Sequence, residues 1–189
     1  MNIGHEHEEL VESFEFRGVK VDLIRWKPSI WCGKVGYANT NNGEPNVGRI
    51  LAAYSEVTKP KNDVVGAEEF WDAQMSLNYL SSERPNGVLM AMLVNTKEQP
   101  EHFDVMEFPE AFYMRVLLSE ENADALCQMP WYGGLPPYEW VSDYIAPSKG
   151  YVLGDDTLPI VEYIRHNKVT FAPEAHYMYV PVKKKEEKK

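Results

Sequence analysis

A weak internal repeat constrains this chain more than any other feature of its sequence. Residues 21–26 align with residues 103–108, because each segment has an aspartate among aliphatic residues and an aromatic residue before a proline turn. After the turn, residues 30–35 align with residues 111–116. Self-similarity of this kind is typical of a duplicated structural unit, although chance similarity is the alternative. The repeat predicts two strand–helix modules related by a pseudo-twofold axis, with a ligand cleft where they meet.

Hydrophobic periodicity predicts strands and helices in both halves, and hence an α+β fold. The first predicted strand begins at Val19 and includes Val21 and Leu23. Further strands are predicted at residues 30–37, 87–94, 103–108, 111–118, 159–165 and 177–182. The predicted helices cover residues 45–57, 67–81, 121–128 and 138–145.

The same pattern predicts one domain between two charged ends. Residues 1–17 are acidic and are expected to form a lead-in, either as a short helix or as an unfolded segment. Residues 18–182 form the domain, with halves at about 18–96 and 102–182. Residues 183–189 are charged and are expected to be a disordered tail.

Charge and composition narrow the class of partner. A net charge of −10 argues against binding nucleic acid over a broad face, and it tolerates cationic ligands. No apolar run suits a signal peptide or a membrane span, so we expect a cytoplasmic protein that does not contact the membrane. The two cysteines do not resemble a secreted disulfide framework. A hydrophobic fraction of 44% predicts a folded core.

Standard cofactor and catalytic motifs are missing from the sequence. It contains no dinucleotide-binding glycine motif, no phosphate-binding loop with its lysine, and no nucleophile elbow. His102, His166 and His176 are scattered, which favours surface histidines over a zinc site. We therefore expect neither a metal nor another cofactor.

Glu162 is the most informative candidate residue, because it is the only carboxylate in the apolar strand segment 158–165. A carboxylate inside a strand is costly unless it is paired or faces a polar opening. One interpretation is that Glu162 simply points to solvent. The other is that it lies at the base of a cleft, where it attracts a cation or accepts a proton from water.

Aromatic residues provide candidate walls for such a cleft, because flat rings on a stiff loop suit a planar ligand. Residues 131–140 combine rings with two glycines and two prolines, although Trp140 at mid-helix fits a core position better. Tyr113 and Trp31 lie in matching strands of the repeat and could face either the cleft or the core. Tyr177 would neighbour Glu162 if the last two strands pair. The predicted ligand-binding residues are Trp31, Trp71, Trp131, Tyr132, Tyr138 and Tyr177.

The C-terminal third resembles a known family. The strand 159–163, a loop ending in 172–175 and the closing strand 177–182 resemble the signature of the GyrI-like family, also called the AraC/MerR-type effector-binding domain. The resemblance extends over about 18–182. It implies duplicated strand-helix-strand-strand modules with antiparallel sheets around a central ligand cleft. It also implies that Glu162 contacts drug-like, often cationic, molecules.

Two further features refine what the resemblance implies. Only a short segment precedes the first predicted strand, so a helix-turn-helix is not expected and the chain resembles the standalone members. The Trp-Tyr-Gly-Gly-x-Pro-Pro-Tyr segment at 131–138 is similar to standalone hydrolases that open cyclopropane rings of DNA-alkylating compounds. In such an enzyme Glu162 would be the general base, and Tyr113 or Tyr177 would donate a proton.

Two alternatives remain open at this stage. The protein could bind hydrophobic or cationic small molecules without catalysis, as a sponge or a sensor. It could instead modulate gyrase through protein contacts, but the sequence offers no interface signal for a protein partner.

Overall fold

The computed structural model describes residues 7–38, 45–58, 63–67, 71–79, 81, 83–118, 137–167, 169–170 and 173–186. The strands within these ranges are β1 Glu8–Phe16, β2 Val19–Trp26, β3 Ser29–Tyr37, β4 Trp71–Leu77, β5 Gly87–Val94, β6 Asp104–Phe108, β7 Ala111–Leu117, β8 Tyr151–Leu153, β9 Ile160–His166 and β10 Pro173–Lys184. Helix α1 is Val47–Thr58. Helix α2 spans residues 137–148 and contains a π-helical turn at Val141–Ile145.

The described strands form one antiparallel sheet with a symmetric order. The order is β1-β2-β7-β10-β9-β4-β5-β3-β6, and β8 pairs with the end of β10. The strands of the two halves correspond in four pairs, β2 with β6, β3 with β7, β4 with β9 and β5 with β10. Exchanging the members of each pair reverses the strand order when β1 is left out. The two halves therefore meet at the β4–β9 pair. This agrees with the pseudo-twofold arrangement that the repeat predicts.

Strand register assigns every side chain to one of two faces, because partners across a pair share a face and successive residues alternate. One face carries Trp26, Trp31, Tyr113, Tyr163 and Tyr179, and we call it the aromatic face. Their rings contact one another although they come from strands far apart in the sheet order. The sheet is therefore curled, with the aromatic face on the inside.

The opposite face of the sheet packs against the helices, and we call it the helix face. Ile50 and Tyr54 of α1 cover Val88 and Met90 of β5. Buried residues of α2 cover the other half, where they contact β2, β7 and β10; they are Trp140, Val141, Ile145 and Ala146. Neither described helix has the length and apolar character that a membrane crossing needs.

The strand and helix predictions hold at most positions that the structure describes. The α+β class is confirmed, and the predicted helices at 45–57 and 138–145 correspond to α1 and α2. The predicted strands correspond to β2, β3, β5, β6, β7, β9 and β10. The predicted helix at 121–128 lies outside the described residues.

The predicted lead-in over residues 1–17 is wrong for Glu8–Phe16, which forms β1. No residue of this strand is fully buried, and only Glu8, Phe14 and Phe16 are half-buried, so its many glutamates hide the alternation that identifies a strand. The far end differs as well, because Lys183 and Lys184 continue β10 and pair with Val152 and Tyr151. Those two lysines do not belong to a disordered tail.

The predicted helix over residues 67–81 is also wrong, because Trp71–Leu77 is strand β4. Ala73, Met75 and Leu77 are buried and alternate with half-buried polar residues. A two-residue period favours a strand, and this short stretch follows that period more closely than a helical one.

A buried ionic cluster fixes β1 to the rest of the sheet. The Arg115 guanidinium lies 2.6 Å from the Glu8 carboxylate and 2.8 Å from that of Asp22. The Tyr179 hydroxyl donates to Glu8 at 2.6 Å, and the Ser13 hydroxyl donates to Asp22 at 2.7 Å. The side chains of Arg115 and Glu8 are only 11% and 3% exposed, so each charge depends on its partners.

Replacement of Arg115 by methionine is expected to destabilise the protein by about 3–5 kcal/mol, since it leaves two carboxylates buried without their cation. Urea unfolding followed by circular dichroism would measure the loss. Arg25→Met is the matched control, because Arg25 forms an exposed pair with Glu9 on the neighbouring strands and should change stability little. Equal losses in the two variants would contradict a structural role for the buried cluster.

Asp22 makes the stability depend on pH. Burial favours the neutral acid, but hydrogen bonds from Arg115 and Ser13 outweigh it and hold the pKa of Asp22 below its ordinary value. A depressed pKa contributes stability above the unfolded-state pKa of about 4, and this contribution is lost as pH falls through the folded-state value.

Urea unfolding between pH 6 and pH 3 should therefore show stability falling at the acid end. Asp22→Asn should remove part of that fall, whereas Asp143→Asn, at an exposed position on α2, should retain it. An unchanged pH profile in Asp22→Asn would contradict this assignment.

Candidate functional site

On the helix face, a polar strip runs along β4 and β9, the two strands at which the halves meet, between the apolar clusters that α1 and α2 form. Asp72, Gln74 and Ser76 of β4 lie on this face and are half-buried, whereas the residues between them are buried on the aromatic face. Glu162 of β9 lies directly across from Gln74. We call this strip the central groove and define it by Asp72, Gln74, Glu162, His166 and His176.

Each carboxylate of the central groove is paired with a histidine. His176 Nε2 lies 3.0 Å from a Glu162 oxygen, and His166 Nε2 lies 3.1 Å from an Asp72 oxygen. All four side chains are partly exposed, so both pairs are accessible from the groove. A carboxylate beside an imidazole fixes the orientation of the ring, and this arrangement is common where histidine acts as a base.

Tyr54 connects helix α1 to the floor of the groove. Its hydroxyl donates a hydrogen bond to Asp72. Burial of the ring and the adjacent negative charge of Asp72 both raise the pKa of Tyr54, so the hydroxyl keeps its proton. The groove therefore presents two carboxylates and a neutral phenol. Among the described residues, no group of three or more His, Cys, Asp or Glu side chains is arranged to hold a metal ion.

The structure divides the predicted site residues between the two faces. Glu162 lies in the central groove, and Tyr138 lies on the same helix face, where its ring contacts Tyr79 at 5.7 Å. Trp31 and Tyr113 lie on the aromatic face, where both are buried. Trp131 and Tyr132 lie outside the described residues, as does the side chain of Trp71.

The prediction that Tyr177 would neighbour Glu162 is wrong. Tyr177 pairs with Tyr163, and Glu162 pairs with Met178. A shift of one residue in register moves a side chain to the opposite face, so Tyr177 lies with the aromatic face and Glu162 does not.

The described rings of the aromatic face pack closely against one another. The Trp26 ring lies 4.7 Å from Tyr179, 5.6 Å from Tyr113, 5.8 Å from Trp31 and 6.1 Å from Tyr163, measured between ring centroids. The cavity beside these rings has a volume of about 10 Å³, which is room for about one water molecule. Burial also raises the pKa of Tyr113, so its hydroxyl remains protonated.

Sequence reasoning missed Asp72, His166 and His176 as members of one site. Asp72 falls within the segment that was predicted to be a helix, where its position relative to Glu162 could not be inferred. The alternation of apolar and polar residues around Asp72 could have identified the strand. A strand from 71 to 77 places Asp72 and Gln74 on one face.

Three solved structures share this architecture. The C-terminal domain of EcmrR matches 88% of this chain and 98% of its own length, with 13% identity and a TM-score of 0.52. A transcription regulation protein from Staphylococcus aureus MU50 matches 88% of this chain and 99% of its own, with 11% identity and a TM-score of 0.54. SAV2435 bound to tetraphenylphosphonium matches 86% of this chain and 93% of its own length, with 15% identity and a TM-score of 0.52.

The chain has the fold of these proteins. It is the fold that the GyrI-like resemblance predicts. The sequence matches no protein-family model and no curated protein.

Proposed function

We propose that this protein binds a largely apolar, positively charged small molecule in the central groove. The observation that carries the proposal is the pair of carboxylates, Asp72 and Glu162, on the floor between the two helix-covered halves. Further support comes from SAV2435, which has the same fold and whose structure contains the lipophilic cation tetraphenylphosphonium.

The charges around the groove favour a cation. No lysine or arginine is among the residues that define it, and the net charge of the chain is −10. A unit charge about 4 Å from a carboxylate near a protein surface gains about 4 kcal/mol before desolvation is subtracted. Two carboxylates therefore provide enough attraction to offset part of the cost of taking a lipophilic cation out of water.

Apolar side chains beside the carboxylates suit the rest of such a ligand. Met178 lies directly across from Glu162, and Ile164 lies directly across from Asp72 on the same face. Tyr138 and Tyr79 add two rings on the side covered by α2. A ligand pocket typically combines a mostly apolar lining with a few placed polar groups, and this arrangement meets that description.

Calorimetric titration with tetraphenylphosphonium tests the proposal. Glu162→Gln and Asp72→Asn should each weaken binding about tenfold, or about 1.4 kcal/mol, because each removes one negative charge next to the ligand. Neutral triphenylphosphine oxide should bind the variants and the original protein alike. Glu107→Gln is the matched control, since Glu107 pairs with Lys97 at the surface of β6. Binding that is insensitive to both groove substitutions would refute the proposal.

A second candidate function is hydrolysis of cyclopropane-containing alkylating compounds, which the His176–Glu162 pair favours. His176 would accept a proton from water while the water oxygen bonds to the strained ring carbon. The ring bond breaks, its electron pair moves into the conjugated carbonyl, and that oxygen takes up a proton. Glu162 would orient the imidazole rather than act alone. Tyr113 lies on the opposite face of the sheet from Glu162, so this mechanism assigns it no role.

Incubation with a cyclopropane-containing alkylator, followed by chromatography, separates the two functions. A hydrolase should give the ring-opened alcohol, with a rate about 10²–10⁴ times lower in His176→Gln, as is typical for loss of a general base. Tyr113→Phe should retain the rate. Tight binding without product would leave the protein as a non-catalytic binder, and unchanged turnover in His176→Gln would exclude this base.

A further inference from the structure

A second cavity lies on the other side of α1 from the central groove. It has a volume of about 320 Å³ and is bounded by the last residues of β3 and the first turns of α1. In the sheet, β5 lies between β4 and β3. Because Asp72 is on β4 and the cavity is beside β3, α1 and β5 separate the cavity from Asp72. Its size is at the lower end of the range for small-molecule sites.

The charges lining this cavity have the opposite sign to those of the groove. Lys34 and Arg49 both contribute to the lining, and no acidic residue is among the described lining residues. Asp104 lies nearby and offsets Lys34 in part, since its carboxylate is 3.8 Å from the Lys34 ammonium. Arg49 is exposed. Two cations around one cavity are notable in a chain whose net charge is −10.

The start of α1 adds to the positive potential. The Asn46 side-chain oxygen accepts a hydrogen bond from the Arg49 backbone N–H at 2.9 Å, so Asn46 caps the helix next to the cavity. The N-terminal end of a helix carries a partial positive charge, and α1 has twelve residues. This contribution has the same sign as that of Lys34 and Arg49.

The floor of the cavity is apolar and is shaped by a close approach of helix and strand. A Cβ atom on Gly36 would lie 2.6 Å from the side chain of Ile50, so glycine allows α1 to come this close to β3. Ile50 is buried beneath the cavity, and Val35 and Ala53 add apolar surface to its lining. An apolar floor below a cationic rim suits a molecule with an apolar body and a negatively charged end.

We propose that this cavity is a second binding site, which takes a small organic anion such as an alkyl carboxylate. It is independent of the central groove and requires neither the cation-binding nor the hydrolytic function proposed above. Arg49 and Lys34 attract the carboxylate, while Ile50 and Ala53 contact the alkyl chain.

Calorimetry with decanoate tests the site, and decyltrimethylammonium serves as the probe with the charge reversed. Decanoate should bind at least tenfold more tightly than the ammonium probe. Arg49→Gln should weaken decanoate binding at least fivefold, and Lys34→Gln should weaken it less because of Asp104. Ala53→Trp should abolish binding by filling the cavity; since Ala53 is exposed on the helix, a thermal unfolding midpoint close to that of the original protein is expected.

Two controls keep the result specific. Lys97→Gln removes an exposed lysine near β6 and should leave decanoate binding unchanged. Glu162→Gln should also leave decanoate binding unchanged, because Glu162 belongs to the central groove. The test of this cavity therefore does not depend on whether the groove proposal holds. Equal binding of both probes, no detectable decanoate binding, or full binding by a folded Ala53→Trp variant would each overturn the proposal.

Discussion

The packing of Trp26 against rings from β3, β7, β9 and β10 is the contact on which the rest of the structure depends. It joins strands that lie far apart in the sheet order, and so it closes the sheet over its aromatic face. Closure fills the inside with side chains of the described residues, and the candidate groove lies on the opposite, helix face. The ionic cluster around Arg115 lies on the same inner face and fixes β1 there, so the first strand belongs to the closed side of the molecule.

The pseudo-twofold arrangement explains why the polar groups are found where they are. The apolar cluster of α1 lies on β5 and that of α2 lies mainly on β2, β7 and β10, so the polar residues of β4 and β9 fall between the two clusters on the helix face. Polar and charged residues are tolerated in a strand when they reach solvent or a partner, and the junction offers both. Asp72 and Glu162 can therefore persist there without the burial cost that they would meet elsewhere in the sheet.

Much of this was accessible from the sequence, and the exceptions have physical reasons. The repeat and the C-terminal signature were sufficient for the fold and the symmetry. Local patterns could not show which face a residue occupies, because that depends on register with strands distant in sequence. Trp31 and Tyr113 were thus correctly placed in matching strands, but the pattern left open whether their rings face a cleft or form a core. Asp72 was missed because apolar residues on both sides of its seven-residue strand, such as Phe70 and Leu80, extend the pattern to a length that suits a helix.

The closed aromatic face has a consequence for spectroscopy. Trp26 and Trp31 are held in an environment without solvent, and the sheet separates them from the central groove. Their emission therefore reports on whether the core is intact and changes little when a molecule enters the groove. An unchanged emission from these two tryptophans during a titration consequently says nothing about occupancy, whereas a red shift of their emission reports that the sheet has begun to open.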